Sequence, residues 1–200
     1  MDETTARNAV CEACRKLYDK ALLVSAGGNV SVRCDDGILI TPSGRNKGSL
    51  RPDDIVKIAP DGKVTGRGKP SIEYKFHLAL YETRKDTCAV VHCHPLYCTA
   101  LSVRGERMRT DLTPEGIMLL GDVPMIPYRT PGSDELADEI RNVSKFNAAV
   151  MANHGALTQG RTLDEACDRM EELEFQAHLQ LMVGSAAGLP REEVVRLRKM

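Results

Sequence analysis

Between residues 4 and 24, Ala6, Val10, Ala13, Leu17, Ala21 and Leu22 recur at three- and four-residue spacing between charged positions. This is the stripe that an amphipathic helix buries. The pattern ends at Ser25-Ala26-Gly27-Gly28, and the text then changes to short β-type runs: Val30-Ser31-Val32, Ile38-Leu39-Ile40 and Ile55-Val56-Lys57-Ile58. Asp35-Asp36-Gly37 and Thr41-Pro42-Ser43-Gly44 separate them, so strands joined by hairpins are predicted. A turn at Asp61-Gly62 and the loop Thr65–Pro70 lead to Ser71, which reads as the N-cap of a helix over 72–83.

Cys88-Ala89-Val90-Val91-His92 then fits a buried strand, and Pro95 opens a helix over 96–102. Four prolines between 103 and 132 break that stretch into an irregular passage, with a short helix near 114–120 and a strand near 124–128. Ser133 caps a helix to about 144, and Ala148-Ala149-Val150-Met151 reads as another buried strand. Thr162 starts the last long helix, through Leu163, Ala166, Met170, Leu173, Ala177 and Leu181, until Gly184 stops it. Helices and mostly antiparallel strands intermix without a βαβ rhythm, which predicts an α+β fold with helices covering a sheet. No repeat or composition break divides the chain, so 1–200 is expected to be one domain, with 185–200 a mobile tail.

Composition narrows the function. The chain has 200 residues, 27 basic against 28 acidic, and a net charge of −1. Scattered, balanced charge offers nucleic acid no electrostatic footprint, and with no Trp and only eight Phe and Tyr there is little to stack bases on. The absence of a signal-like N-terminus and of a long apolar run predicts a cytoplasmic protein with no membrane span. Seven cysteines, an odd number without framework spacing, read as reduced thiols. Cys11-x-x-Cys14, on an amphipathic helix with no second pair, reads as packing.

Histidines carry the first candidate chemistry. His92 and His94 are alternate residues at a strand end, so their side chains share one face about 7 Å apart and can converge on one ion. His154 ends the second buried run beside Gly155. Three histidines make an open metal site of the catalytic kind, since structural zinc sites use four protein ligands; polar strand-end histidines are the other reading. His77 and His178 read as isolated helix histidines, surface or satisfied in the core. Glu73 stands in the first turn of its helix, where a carboxylate favours the dipole. Beside a metal it would become a proton carrier. Gly27-Gly28-Asn29, Thr41-Pro42-Ser43-Gly44 and Lys69-Pro70-Ser71 offer backbone N–H groups and short polar side chains suited to a phosphate, though none is a Walker loop.

Gly27-Gly28-Asn29-Val30-Ser31, Thr41-Pro42-Ser43-Gly44, Ser71-Ile72-Glu73, His92-x-His94-Pro95 and Asn153-His154-Gly155 resemble, in order and spacing over about 5–183, the class II aldolase/adducin family, and within it the fuculose-phosphate aldolases. The resemblance implies a three-layer α/β/α sandwich around a central, largely antiparallel sheet, assembled as a homotetramer with active sites at subunit interfaces. By matching positions it implies that His92, His94 and His154 bind Zn²⁺, with Mn²⁺ or Co²⁺ as alternatives. Glu73 would be the catalytic acid/base that also touches the resting metal, and Gly28, Asn29, Ser43, Gly44 and Ser71 would hold the phosphate of a small phosphorylated sugar. The implied reaction is retro-aldol cleavage of a ketose 1-phosphate, of the L-fuculose type, to dihydroxyacetone phosphate and an aldehyde. Sugar-acid phosphate decarboxylation, pentulose-phosphate dehydration and 4-epimerisation would use the same metal enolate, the last less well matched because such enzymes carry Asp where Glu73 stands. An adducin-like interaction module is the non-enzymatic alternative, and the retained histidines argue against it. Two departures stand out: Ile72 occupies the place of a second phosphate-binding hydroxyl, and no tyrosine lies between Tyr97 and Tyr128 or after Tyr128. Thr113, Glu115 or the tail are the remaining candidates for work on the aldehyde half.

Overall fold

The computed structural model describes residues 2–200. Eight strands form one sheet: β1 Asn29–Cys34, β2 Gly37–Ile40, β3 Val56–Ile58, β4 Val64–Thr65, β5 Ala89–Cys93, β6 Met125–Ile126, β7 Ala148–Met151 and β8 Gly155–Gly160. Their order is β4-β3-β2-β1-β5-β8-β7-β6. Every neighbouring pair is antiparallel except β6 and β7.

Among the described residues five helices cover the sheet, α1 Glu3–Asp19, α2 Tyr74–Thr83, α3 Leu96–Val103, α4 Asp134–Asn142 and α5 Leu163–Val183, and a sixth, α6 Arg191–Leu197, packs against residues 116–120. The period-2 alternation of each strand divides the core in two. Val30, Leu39, Val91, Cys93 and Val150 pack with α1, α3 and α5, whereas Ile38, Ile40, Val90, Met151 and Leu157 pack with α2 and α4. Helices therefore lie on both faces, giving the three-layer α/β/α sandwich with a largely antiparallel sheet.

The local expectations hold with shifted ends. The first helix stops at Asp19, and Ser133 and Thr162 cap α4 and α5 by accepting from Leu136 N–H and Glu165 N–H. Residues 116–120 form one turn of π-helix, and β6 has only two residues. Two strands carried no signal: β8, whose Gly-Ala-Leu-Thr-Gln-Gly sequence lacks alternation and has Thr158 as its one β-branched residue, and the exposed β4. At α2 the order of roles changes. Glu73 is itself the N-cap residue and Ser71 lies before it, so the carboxylate precedes the helix and makes no side-chain cap hydrogen bond.

All seven cysteines are free, and Cys11 and Cys14 are buried on the core side of α1. Among the described residues no helix is long and apolar enough to cross a membrane. The segment after α5 packs back on the irregular passage: Leu189 N–H donates to Asp111 O (2.7 Å), and Arg198 pairs with Asp122.

Candidate active site

β5 lies at the centre of the sheet, between β1 and β8, and delivers His92 inside the ladder and His94 just beyond its end. His92 shares the α2 face with Val90, while Cys93 turns into the opposite core. His154 sits in the tight turn from β7 to β8, where its N–H donates to Met151 O (3.1 Å) and Asn153 takes a left-handed φ of 57°. Gly155 is required there, because a Cβ would collide with the Cys93 carbonyl and come within 2.8 Å of the His94 ring. The three ring centroids are 4.8–5.2 Å apart, and one nitrogen of each ring falls within 4.8 Å of the others.

The start of α2 closes the cluster. Glu73 Oε2 lies 3.3 Å from His92 Nε2, and Oε1 lies 3.4 Å from His154 Nε2. His92 Nδ1–H donates to the Ala156 carbonyl (2.9 Å), leaving Nε2 as a bare lone pair that faces His94 Nε2 at 3.1 Å. Glu73 Oε1 and His154 Nδ1 are buried without a hydrogen-bond partner in the chain. Nitrogens around a tetrahedral ion at ~2.0–2.1 Å would stand about 3.3 Å apart, so this donor set fits a divalent cation.

Burial, with His92 adjacent, lowers His94 and His154 to about 4, which keeps both neutral and able to ligate at pH 7. Burial alone would raise the Glu73 carboxyl. Positive charge at the His92–His154 side of the cluster, whether a shared proton or a bound cation, together with the Asn29 N–H, outweighs it and holds the group below the usual carboxylate range. Glu73 is therefore an ionised carboxylate only 5% exposed.

The three small-residue clusters come together. Ser43 N–H donates to Lys69 O (3.0 Å) and Ser71 N–H to Thr41 O (3.1 Å), stitching the second cluster to the third. Lys47, which the sequence reading missed, joins the first to the second: its ammonium, 1% exposed, donates to the carbonyls of Ala26 (2.8 Å), Arg45 (3.0 Å) and Pro42 (3.4 Å). Gly28 has φ +70°, and a Cβ there would strike Leu23 and lie 2.6 Å from the His92 carbonyl. Ser43 and Gly44 are exposed and Ser71 is buried.

Asn29 departs from the phosphate-contact expectation in one respect. Its side chain points to Glu73 and His77: Nδ2 donates to Glu73 Oε2 (2.8 Å) and Oδ1 accepts from His77 Nε2. His77 is thus part of the site's surroundings. Its signal was the four-residue spacing Glu73, His77, Tyr81 on one helix face. His178 stacks on Tyr97 at 3.9 Å, in keeping with a packing histidine. Thr113 Oγ1 accepts from Gln176 Nε2 (2.6 Å), and Glu115 and Ile72 are exposed.

Residues 8–181 match the family described as class II aldolase and adducin N-terminal domain, and the chain belongs to that family. Among curated relatives, it is 40% identical over 169 residues to the L-fuculose phosphate aldolase of Methanocaldococcus jannaschii, covering 84% of this chain and 92% of that one. It is 35% identical over 185 residues to the 3-oxo-tetronate 4-phosphate decarboxylase of Haemophilus influenzae, covering 90% and 88%. Among solved structures it is similar to YgbL of Escherichia coli, with TM-score 0.92, 33% identity and coverage of 98% and 99%. It is also similar to an L-fuculose 1-phosphate aldolase, with TM-score 0.90, 30% identity and coverage of 98% and 95%. Enzymes of two reaction types thus stand at comparable similarity.

Proposed function

We propose that this chain is a metal-dependent class II aldolase that cleaves a ketose 1-phosphate, of the L-fuculose 1-phosphate type, to dihydroxyacetone phosphate and an aldehyde. The observation that carries the reading is the ionised Glu73 carboxylate set against three converging imidazoles. His92, His94 and His154 would hold Zn²⁺, with Mn²⁺ or Co²⁺ as alternatives and Glu73 as a further contact in the resting site. When bound, the ion supplies positive charge that stabilises the negative charge developing beside the substrate carbonyl.

The protein groups do the rest. Gly28, Asn29, Ser43, Gly44 and Ser71 hold the phosphate and orient the substrate from a distance. The C3–C4 bond breaks with its electron pair left on C3 as the C4 hydroxyl gives up its proton and becomes the aldehyde. Glu73, a carboxylate at rest, takes up that one proton and delivers it to C3, so that no net proton is gained or lost. The whole chain, 1–200, acts as one domain. The exposed apolar side chains of Leu96, Phe175 and Met182 on α3 and α5 support a homotetramer, whose test is the mass in solution by light scattering. Reduced thiols and a phosphorylated metabolite suit the cytoplasm.

Decarboxylation of a sugar-acid phosphate is the second reading, favoured by the likeness to the Haemophilus influenzae enzyme. A coupled assay for dihydroxyacetone phosphate, run on a panel of ketose 1-phosphates with Zn²⁺ and with EDTA, separates the two. Chelator-sensitive release supports the aldolase. Release of CO₂ from 3-oxo-tetronate 4-phosphate, with no dihydroxyacetone phosphate from any ketose, moves the assignment to decarboxylation.

A further inference from the structure

Behind Glu73 runs a buried chain of five polar side chains drawn alternately from a helix and a strand. Glu73, His77 and Tyr81 follow one another at intervals of four from the start of α2, and Asn29 and Ser31 are alternate residues of β1. Four helical residues rise about 6 Å, and two strand residues about 6.7 Å. The two rows therefore stay in register, and each β1 side chain falls between two from α2. Asn29 bridges Glu73 and His77, and Ser31 bridges His77 (Oγ to Nδ1, 2.7 Å) and Tyr81 (Oγ to OH, 2.7 Å). All five side chains are buried.

Donor and acceptor rules allow this chain only one direction. Asn29 turns its NH₂ to Glu73 Oε2 and its carbonyl oxygen to His77. That oxygen can only accept, so His77 carries its proton on Nε2. The bare Nδ1 then takes the Ser31 hydroxyl proton, and Ser31 Oγ accepts from the Tyr81 O–H. Burial keeps the middle and far members in these forms: it lowers His77 from 6.5 to about 3 and raises the Tyr81 phenol above its usual 10. The consequence falls on the carboxylate. Oε2 is pinned by Asn29, while Oε1 faces the histidine cluster with no partner in the chain.

We propose that His77 is a positioning residue which, acting through Asn29, fixes the rotation of the Glu73 carboxylate so that Oε1 faces the reacting carbon. This rests on the role given to Glu73 above. It also assigns the Asn29 side chain to the base, with its second Nδ2 hydrogen remaining for substrate. Groups that orient a metal-site side chain from behind typically carry about 10–100-fold in activity.

Two measurements test it on the metal-loaded protein. Long-range ¹⁵N–¹H NMR of the wild type reads the His77 tautomer whatever reaction the enzyme performs. A single tautomer protonated at Nε2 and bare at Nδ1 is expected, and protonation at Nδ1 or a mixture overturns the proposal. Kinetics of His77→Phe and His77→Gln, with the turnover the wild type proves to have, supply the second. His77→Phe should keep its metal and lower kcat by about 10–100-fold with KM nearly unchanged. His77→Gln, whose amide N–H can still reach Asn29, should recover most of the loss. Unchanged kcat in His77→Phe, or no recovery in His77→Gln, overturns the proposal. Should His77→Phe not fold, Ser31→Ala takes its place: a mixed His77 tautomer with a reduced kcat supports the chain, and an unchanged kcat overturns it. A wild type that releases no dihydroxyacetone phosphate overturns the aldolase reading without touching the tautomer result.

Discussion

His92 donates its Nδ1–H to the carbonyl of Ala156, 2.9 Å away across the β5–β8 ladder. A backbone group thereby selects the tautomer of the most buried of the three histidines and aims its Nε2 at the centre of the cluster. Protein purified without chelator should carry one divalent transition ion per chain by metal analysis. His92→Ala should lose at least 100-fold in affinity, because the remaining imidazoles and carboxylate no longer enclose the ion. Full metal content in that variant would remove the histidine site.

Glu73→Gln keeps the size of the side chain and removes its proton chemistry. Turnover should fall about 10²–10⁴-fold, the range of general acid–base catalysis, while metal content and melting temperature change little. Wild-type turnover in this variant would move the proton carrier elsewhere.

Gly28→Ala combines a left-handed backbone with a Cβ placed against Leu23 and the His92 carbonyl. The expected cost is about 2–4 kcal/mol of stability, read by urea unfolding. Metal affinity should fall with it, since the neighbour forced aside is the backbone of His92, a proposed ligand.

Lys47→Met retains volume but strips three loop carbonyls, those of Ala26, Pro42 and Arg45, of their donor. It should destabilise the fold by on the order of 3 kcal/mol and raise KM for a phosphorylated substrate more than it lowers kcat, because the loops that separate are those proposed to hold the phosphate. Equal KM in variant and wild type would confine Lys47 to stability.

His77 titrates near 6.5 when unfolded and at about 3 when folded. Between these values the unfolded chain binds more protons, so the His77 contribution is complete above pH 6.5 and is lost progressively as pH falls toward 3. Acid unfolding curves of wild type and His77→Phe should therefore converge across that window. Curves that stay parallel would mean that His77 is charged in the folded protein.

Much of the site was legible before any coordinates. The pair His92 and His94 follows from strand alternation, and the helix caps Ser133 and Thr162 stand where N-cap chemistry puts them. The small-residue clusters are visible as turns, and the family resemblance ordered them into one cradle. These features are local: each depends on a period of two or 3.6 residues, or on the backbone needs of a few neighbours, and such regularities are written in the residue types themselves. Strand β8 was invisible because its residues are held by pairing with β5 and β7 and not by their own β-propensity.

What only the tertiary structure decided lies in contacts between distant segments. Nothing in the sequence singles out Lys47; only the fold gathers three carbonyls around its ammonium. His77 read as an isolated helix histidine, because nothing in its neighbourhood along the chain says that β1 will run beneath α2 in step with it. The sequence by itself determined which side chains could ligate, cap or turn; the match between four residues of helix and two of strand decided which of them meet. Sidedness is a property of one element, whereas register is a property of two, and only packing supplies the second.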